Sequence, residues 1–172
     1  LENLDLSRDW WDQNANRELS FNGKVYVTTG ELTYIDNKAT QILLFTKDMI
    51  DQYQLEDPYE LVRSGKWTVD KMIENSKKVT ADINGDGVMD EKDRYGFSYW
   101  QDTAYNALAS SGVSFGKIEN GEPVLTFYNE KTVDVWNKYI NFIKSDAAFS
   151  RHDATSAWDS MVDMLETNRA LY

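Results

Sequence analysis

The chain has 172 residues, with 18 Lys and Arg against 29 Asp and Glu, a net charge of -11, one histidine and no cysteine. Its 41% apolar content is enough to bury a core without covalent staples. The missing cysteines exclude thiolate zinc sites, iron–sulfur clusters, disulfide frameworks and Cys nucleophiles, and His152 alone cannot build a histidine-rich metal site. Acidic residues spread along the whole chain disfavour a phosphate-backbone partner, so nucleic acid is not expected.

No apolar run approaches membrane-spanning length, and the start Leu1–Trp11 has neither a basic nor an apolar leader region, so no direct membrane insertion is expected. The chain opens without Met and stops in the apolar Ala170-Leu171-Tyr172, which reads as a strand beginning; a piece of a longer protein is the expectation. Residues 1–22 are polar and without period, and read as an irregular segment near a hinge. From residue 23 to 172 no linker or repeat divides the chain, which reads as a single α/β lobe.

Alternation at Lys24–Val27 and Leu32–Ile35 predicts strands, and the continuous apolar run Gln41–Phe45 predicts a buried one. After Phe45 the spacing of Met49, Ile50, Tyr53 and Leu55 changes to roughly 3–4. Asp57-Pro58 opens a short helix, which Gly65 closes. Thr68 caps a helix whose Val69, Met72, Ile73, Ser76 and Val79 share one face. Tyr95–Trp100 returns to alternation and reads as a strand, and Asp102 is expected to cap a small-residue helix over 104–111 that ends at Gly112. Asn120-Gly121 marks a hairpin turn, and Asn129 caps a long amphipathic helix through Val133, Trp136, Tyr139 and Ile143. A last helix is expected over Ala154–Asn168. Trp136 and Trp158 fall on apolar helical faces and are expected in the core, whereas Trp10, Trp11, Trp67 and Trp100 fall near loops or strand ends, where a flat ring can stack on a sugar.

One motif carries specific chemistry. Asp82, Asn84, Asp86, Gly87, Val88, Asp90 and Asp93 occupy positions of a twelve-residue calcium loop, residues 82–93, in the order D-x-N-x-D-G-x-x-D-x-x-D. Calcium takes several oxygens: side chains of Asp82, Asn84, Asp86, Asp90 and Asp93 with the Val88 carbonyl supply them, and Gly87 permits the turn. Asp stands at the last position where an EF-hand prefers Glu, and a strand rather than a helix follows. A structural calcium is therefore expected instead of a sensor, the alternative being a solvated Asx-rich turn without metal. Acidic pairs such as Glu31/Asp36 or Asp159/Asp163 could be drawn as a glycosidase couple, but so acidic a chain produces such pairs by chance, and no enzyme activity is expected.

Taken together, Gly23–Val27, the apolar run ending Phe45-Thr46-Lys47-Asp48-Met49-Ile50, Asp57-Pro58-Tyr59-Glu60-Leu61, Gly65-Lys66-Trp67-Thr68-Val69-Asp70, the calcium loop and Tyr95-Gly96-Phe97 resemble, in order and spacing, the extracellular solute-binding proteins of sugar-type ABC importers. Asn168-Arg169-Ala170-Leu171-Tyr172 is similar to that family's N-G-R-A-L-F, with the Gly absent. The resemblance implies a periplasmic-binding-protein-like lobe, a mixed sheet flanked by about five helices, forming lobe two of a two-lobed protein. It further implies a carbohydrate ligand, a membrane permease as partner, a monomer, and an extracellular location through a lipid anchor on a preceding segment. Ligand contacts in the family cluster at strand carboxyl ends, which by position nominates Tyr34, Asp36, Asn37, Trp100, Gln101 and Asp102. The rival expectation is a calcium-stabilised carbohydrate-binding or adhesion module of a secreted enzyme, against which the number of amphipathic helices speaks.

Overall fold

The computed structural model describes residues 3–32, 34, 38 and 40–172. Among them the chain is mixed α/β, with seven α-helices and three two-stranded pairs. No helix is long and apolar enough to cross a membrane among the described residues. The contacts divide the chain into two compact units, 1–42 with 108–134 and 43–107 with 135–172, where the sequence suggests one lobe from residue 23.

The first unit is built from local signals. Helix α1, Gln13–Glu18, stands inside the segment expected to be irregular, and the Asp12 carboxylate caps it by accepting from the Asn14 and Ala15 N–H groups. Strands β1, Ser20–Phe21, and β2, Lys24–Val25, pair antiparallel. The expected strand over residues 24–27 therefore stops at Val25, and Tyr26 and Val27 are exposed. Later in the unit β4, Gly116–Glu119, and β5, Glu122–Leu125, form the hairpin expected at Asn120-Gly121. Both turn residues have positive φ, at 53° and 84°, the conformation a two-residue hairpin turn needs and Asn-Gly tolerates.

In the second unit, helices α2, Lys47–Gln52, and α3, Pro58–Arg63, lead to α4, Val69–Val79. The Asp57 carboxylate accepts from Tyr59 N–H at 2.7 Å and the Thr68 hydroxyl accepts from Lys71 N–H at 3.1 Å, so both expected helix starts are capped. Strand β3, Phe97–Tyr99, pairs parallel with β6, Ala148–Ser150, with Tyr99 opposite Ser150. On its other side the C-terminal residues run alongside: Tyr95 bridges Ala170, Leu171 N–H donates to Tyr95 O, and Ser98 N–H donates to Tyr172 O. Residues 170–172 thus lie alongside through an isolated bridge without forming a strand of their own, and all three are buried. Helix α5, Thr103–Ser110, follows β3, and α6, Glu130–Ile143, precedes β6 with Asn129 accepting from Thr132 N–H at its start. Both helices pass from one unit to the other along the chain.

Met49, Ile50, Val79, Phe97, Phe142, Ala147, Leu171 and Tyr172 form the main core, and Tyr95, Phe149, Met164 and Ala170 a second cluster. Burial pushes the phenols of Tyr95 and Tyr139 up to about 12, the carboxylates of Asp93 and Asp90 adding to the rise at Tyr95. Because the folded values are raised, the stability these neutral phenols contribute is complete below the ordinary value of 10 and is lost as pH climbs through about 12. A spectrophotometric titration should show both ionising near the alkaline unfolding step, and Tyr139→Phe should remove one of them; ionisation of all tyrosines near the ordinary value in the folded chain would contradict this.

Three expectations are corrected. The run Gln41–Phe45 is not a buried strand: Ile42, Leu43 and Leu44 are exposed, and no backbone hydrogen bond joins them to another described residue. A strand apolar on both faces needs partners on both sides; at Thr46, just beyond the run, the N–H donates to Leu171 O. The last helix, α7, covers only Ser160–Glu166; before it Arg151–Asp153 form a 3-10 turn, and Thr155 is held by Glu91, whose carboxylate accepts both its N–H and its hydroxyl at 2.5 Å. Finally, there is no single mixed sheet with five helices; seven helices accompany three separate pairs among the described residues. The expected strand at 32–35 lies partly outside the described residues, and Leu32 is exposed.

Candidate functional site

Residues 82–93 are folded by their own side chains. Asp82 accepts from Gly85 N–H through Oδ1 at 2.6 Å and from Gly87 N–H through Oδ2 at 2.8 Å. Asn84 accepts from Asp86 N–H and Asp86 from Val88 N–H, both at 2.8 Å, giving successive Asx turns. Gly85 and Gly87 take positive φ, 75° and 80°, as that path requires. The fully buried Asp93 ties the ends together, accepting from Ile83 and Asp90 N–H at 3.0 Å each. These backbone donors hold its carboxyl below the ordinary value against the cost of desolvation, with the Asp90 N–H first among them. Antiparallel bonds between Ala81 and Arg94 close the loop base.

The donor set, all carboxylate, amide and carbonyl oxygen, suits a hard cation such as calcium. Among the described residues no three Asp, Glu or His side chains converge as metal ligands do, their oxygens being engaged by backbone N–H groups instead. Lys92, 3.6 Å from Asp90, is the one ammonium paired with the loop's aspartates among the described residues. Among the described residues no ion pair balances the negative charge of Asp82, Asp86 and Asp93.

The second candidate place is the carboxyl end of the parallel pair. Trp100 directly follows β3 and Arg151 directly follows β6, so the parallel register sets them side by side. The Arg151 guanidinium carbon lies 3.9 Å from the Trp100 ring centroid and 4.8 Å from that of Trp158. Trp100 is half-buried, while Trp158, expected in the core, is 80% exposed. The cause is the shortened α7, which leaves Trp158 in the turn before it and off any helical face. Trp136 is likewise exposed, tilted against Tyr139. Gln101 and Asp102 are exposed, and their carbonyls accept from Ala104 and Asn106 N–H in the first turn of α5.

Of the remaining nominated residues, Tyr34 belongs to the first unit, is exposed, and has the Lys38 ammonium 5.0 Å from its ring centroid. Asp36 and Asn37 lie outside the described residues. Arg151 escapes sequence reading, which gives Trp158 only as a core residue; the local signal for Arg151 is its place after Ala148–Ser150, a strand too short to show alternation. A depression of about 560 Å³ beside residues 82–93 is lined by Glu91, Lys92, Thr155, Asp159, Asp163 and Arg169. There Arg169 pairs with Asp163, Asp159 accepts from the Ser156 hydroxyl, and Glu91 accepts from Thr155.

No protein-family model, curated protein or solved structure matches the chain.

Proposed function

We propose that the chain is a lobe of a carbohydrate-type solute-binding protein, which holds a sugar without altering it and delivers it to the permease of an ABC importer outside the cell. The observation that carries this reading is Trp100 at the carboxyl end of a parallel strand pair, the end at which open α/β folds take their ligands. With Trp158 exposed beside it, two indole rings offer flat apolar surface to a sugar face, and the neighbouring Gln101 and Asp102 carry polar groups for its hydroxyls. The resemblance in motif order supplies the transport context. In such a protein the ligand is gripped by closure of two lobes about a hinge, and closure is populated only as far as contacts with both lobes favour it.

We further propose that residues 82–93 hold one structural calcium ion through Asp82, Asn84, Asp86, Asp90, Asp93 and the Val88 carbonyl, neutralising carboxylates that otherwise repel one another.

One lobe supplies one side of the ligand's contacts and recovers little of the free energy lost on immobilising a small polar molecule. Calorimetry of the chain against a panel of oligosaccharides should therefore give weak, millimolar binding, with Trp100→Ala weakening it further. Tight saturable binding by this chain alone would replace the two-lobe reading with a self-contained carbohydrate-binding module, and no response to any sugar would remove both.

A further inference from the structure

We propose that the ligand taken at the carboxyl end of β3 and β6 is an acidic sugar, a uronate, whose carboxylate is received by Arg151 while its ring lies against the exposed Trp158; this rests on the carbohydrate-binding reading above. The sequence has six arginines, and five of them are committed. Arg8, Arg17, Arg63 and Arg169 each pair with a carboxylate, and Arg94 donates to the Tyr53 hydroxyl and to Asn168 O. Arg151 has neither an ion pair nor a side-chain hydrogen bond among the described residues, although 29 acidic side chains are available in the chain. Its Nε is buried without a partner, a desolvation cost that a structural arginine ordinarily offsets.

What Arg151 does have is two indoles against its guanidinium. Cation–π contact satisfies the flat faces of the group and fixes its plane, but it leaves the in-plane N–H donors unused. A rigid fork of such donors matches the two oxygens of a carboxylate better than it matches hydroxyls, and the charge-assisted pair is roughly twice as strong as a neutral hydrogen bond. The half-buried site keeps that pair partly shielded from water. A net charge of -11 makes anions unwelcome over most of this surface, so an unpaired arginine beside an exposed indole is a local exception to the chain's own field.

The test uses the 172-residue chain labelled with nitrogen-15, following the indole N–H signals of Trp100 and Trp158, assigned through Trp100→Phe and Trp158→Phe, which register millimolar binding. Digalacturonate, neutral digalactose and acetate are titrated in parallel. Saturable shifts of both indoles by digalacturonate, at least about tenfold tighter than by digalactose, are expected, with acetate leaving the indoles unsaturated. Arg151→Gln should abolish the preference for the acid, and Arg151→Lys, which keeps the charge but not the fork, should retain part of it. Equal or tighter binding of digalactose would overturn the acidic-sugar inference and leave the carbohydrate-binding reading standing. Acetate saturating like digalacturonate would overturn the sugar component, and silence of both indoles toward both disaccharides would overturn the inference together with the reading beneath it.

Discussion

Gly96→Ala is expected to destabilise the second unit more than any other single methyl group added to a glycine of that unit. A Cβ at residue 96 would stand 2.0 Å from the Ser76 Cα, 2.2 Å from its Cβ and 2.4 Å from its carbonyl oxygen. Two of those atoms are backbone of α4, which cannot swing aside as a flexible side chain can. Nor can the glycine retreat: its N–H donates to Ala147 O and its carbonyl accepts from Tyr172 N–H, both at 3.1 Å, fixing it between the two flanking segments. Relief requires α4 to lift from the sheet, uncovering the fully buried Ser76 and Val79, and the cost should be on the order of 3 kcal/mol or more. Urea denaturation followed by tryptophan fluorescence measures it. Gly85→Ala is the control: its φ is positive but open space surrounds it, so backbone strain of about 1 kcal/mol is all it should cost. Equal stability of the two variants would show that the approach of α4 to β3 is not as close as described.

Calcium should raise the melting temperature, and the size follows from mass action. At calcium about a hundredfold above its dissociation constant the native state gains about 2.7 kcal/mol. For a domain of this size each kcal/mol moves the midpoint by about 2–4 °C, so a rise of roughly 5–10 °C over the chelator-treated chain is expected. Asp86→Ala should lose most of that response while costing the metal-free chain little beyond one Asx-turn bond to Val88 N–H. Asp93→Asn should behave differently, since its carboxylate also closes the loop through Ile83 and Asp90; it should lower the midpoint with or without calcium. The acid limb distinguishes the roles further. The folded pKa of Asp93 is lowered, so its contribution is complete above the ordinary value of 3.8 and is lost as pH falls through the lower folded value. Identical melting with calcium and with chelator would sink the metal assignment and leave an Asx-rich turn.

The helix starts at Asp57 and Thr68, the Asn129 cap and the Asn120-Gly121 turn were legible because each is settled by atoms a few residues away: a side-chain oxygen and an orphan N–H, or two residues that tolerate positive φ. The Asx bonding of residues 82–93 was legible for the same reason. The apolar pattern also marked Met72, Ile73, Ser76 and Val79 as one face of α4, although Val69, placed on that face, is exposed in the first turn.

Tertiary structure decided the rest. Periodicity shows that Gln41–Phe45 is apolar but not whether a neighbouring strand exists to pair with it, and here Ile42, Leu43 and Leu44 are exposed. A helical pattern over 154–168 is realised only from Ser160, and Thr155 before it is bonded to Glu91, a residue far away in sequence. Trp158 falls in the turn before that helix, outside the expected core and near Arg151. Sequence alone could nominate Trp100 as a ring beyond a strand end; that Arg151 stands over it depends on parallel pairing of Tyr99 with Ser150. Caps and turns are short-range bonds written in adjacent residues, whereas a parallel register is chosen by packing of both strands against a shared core, which no local pattern encodes.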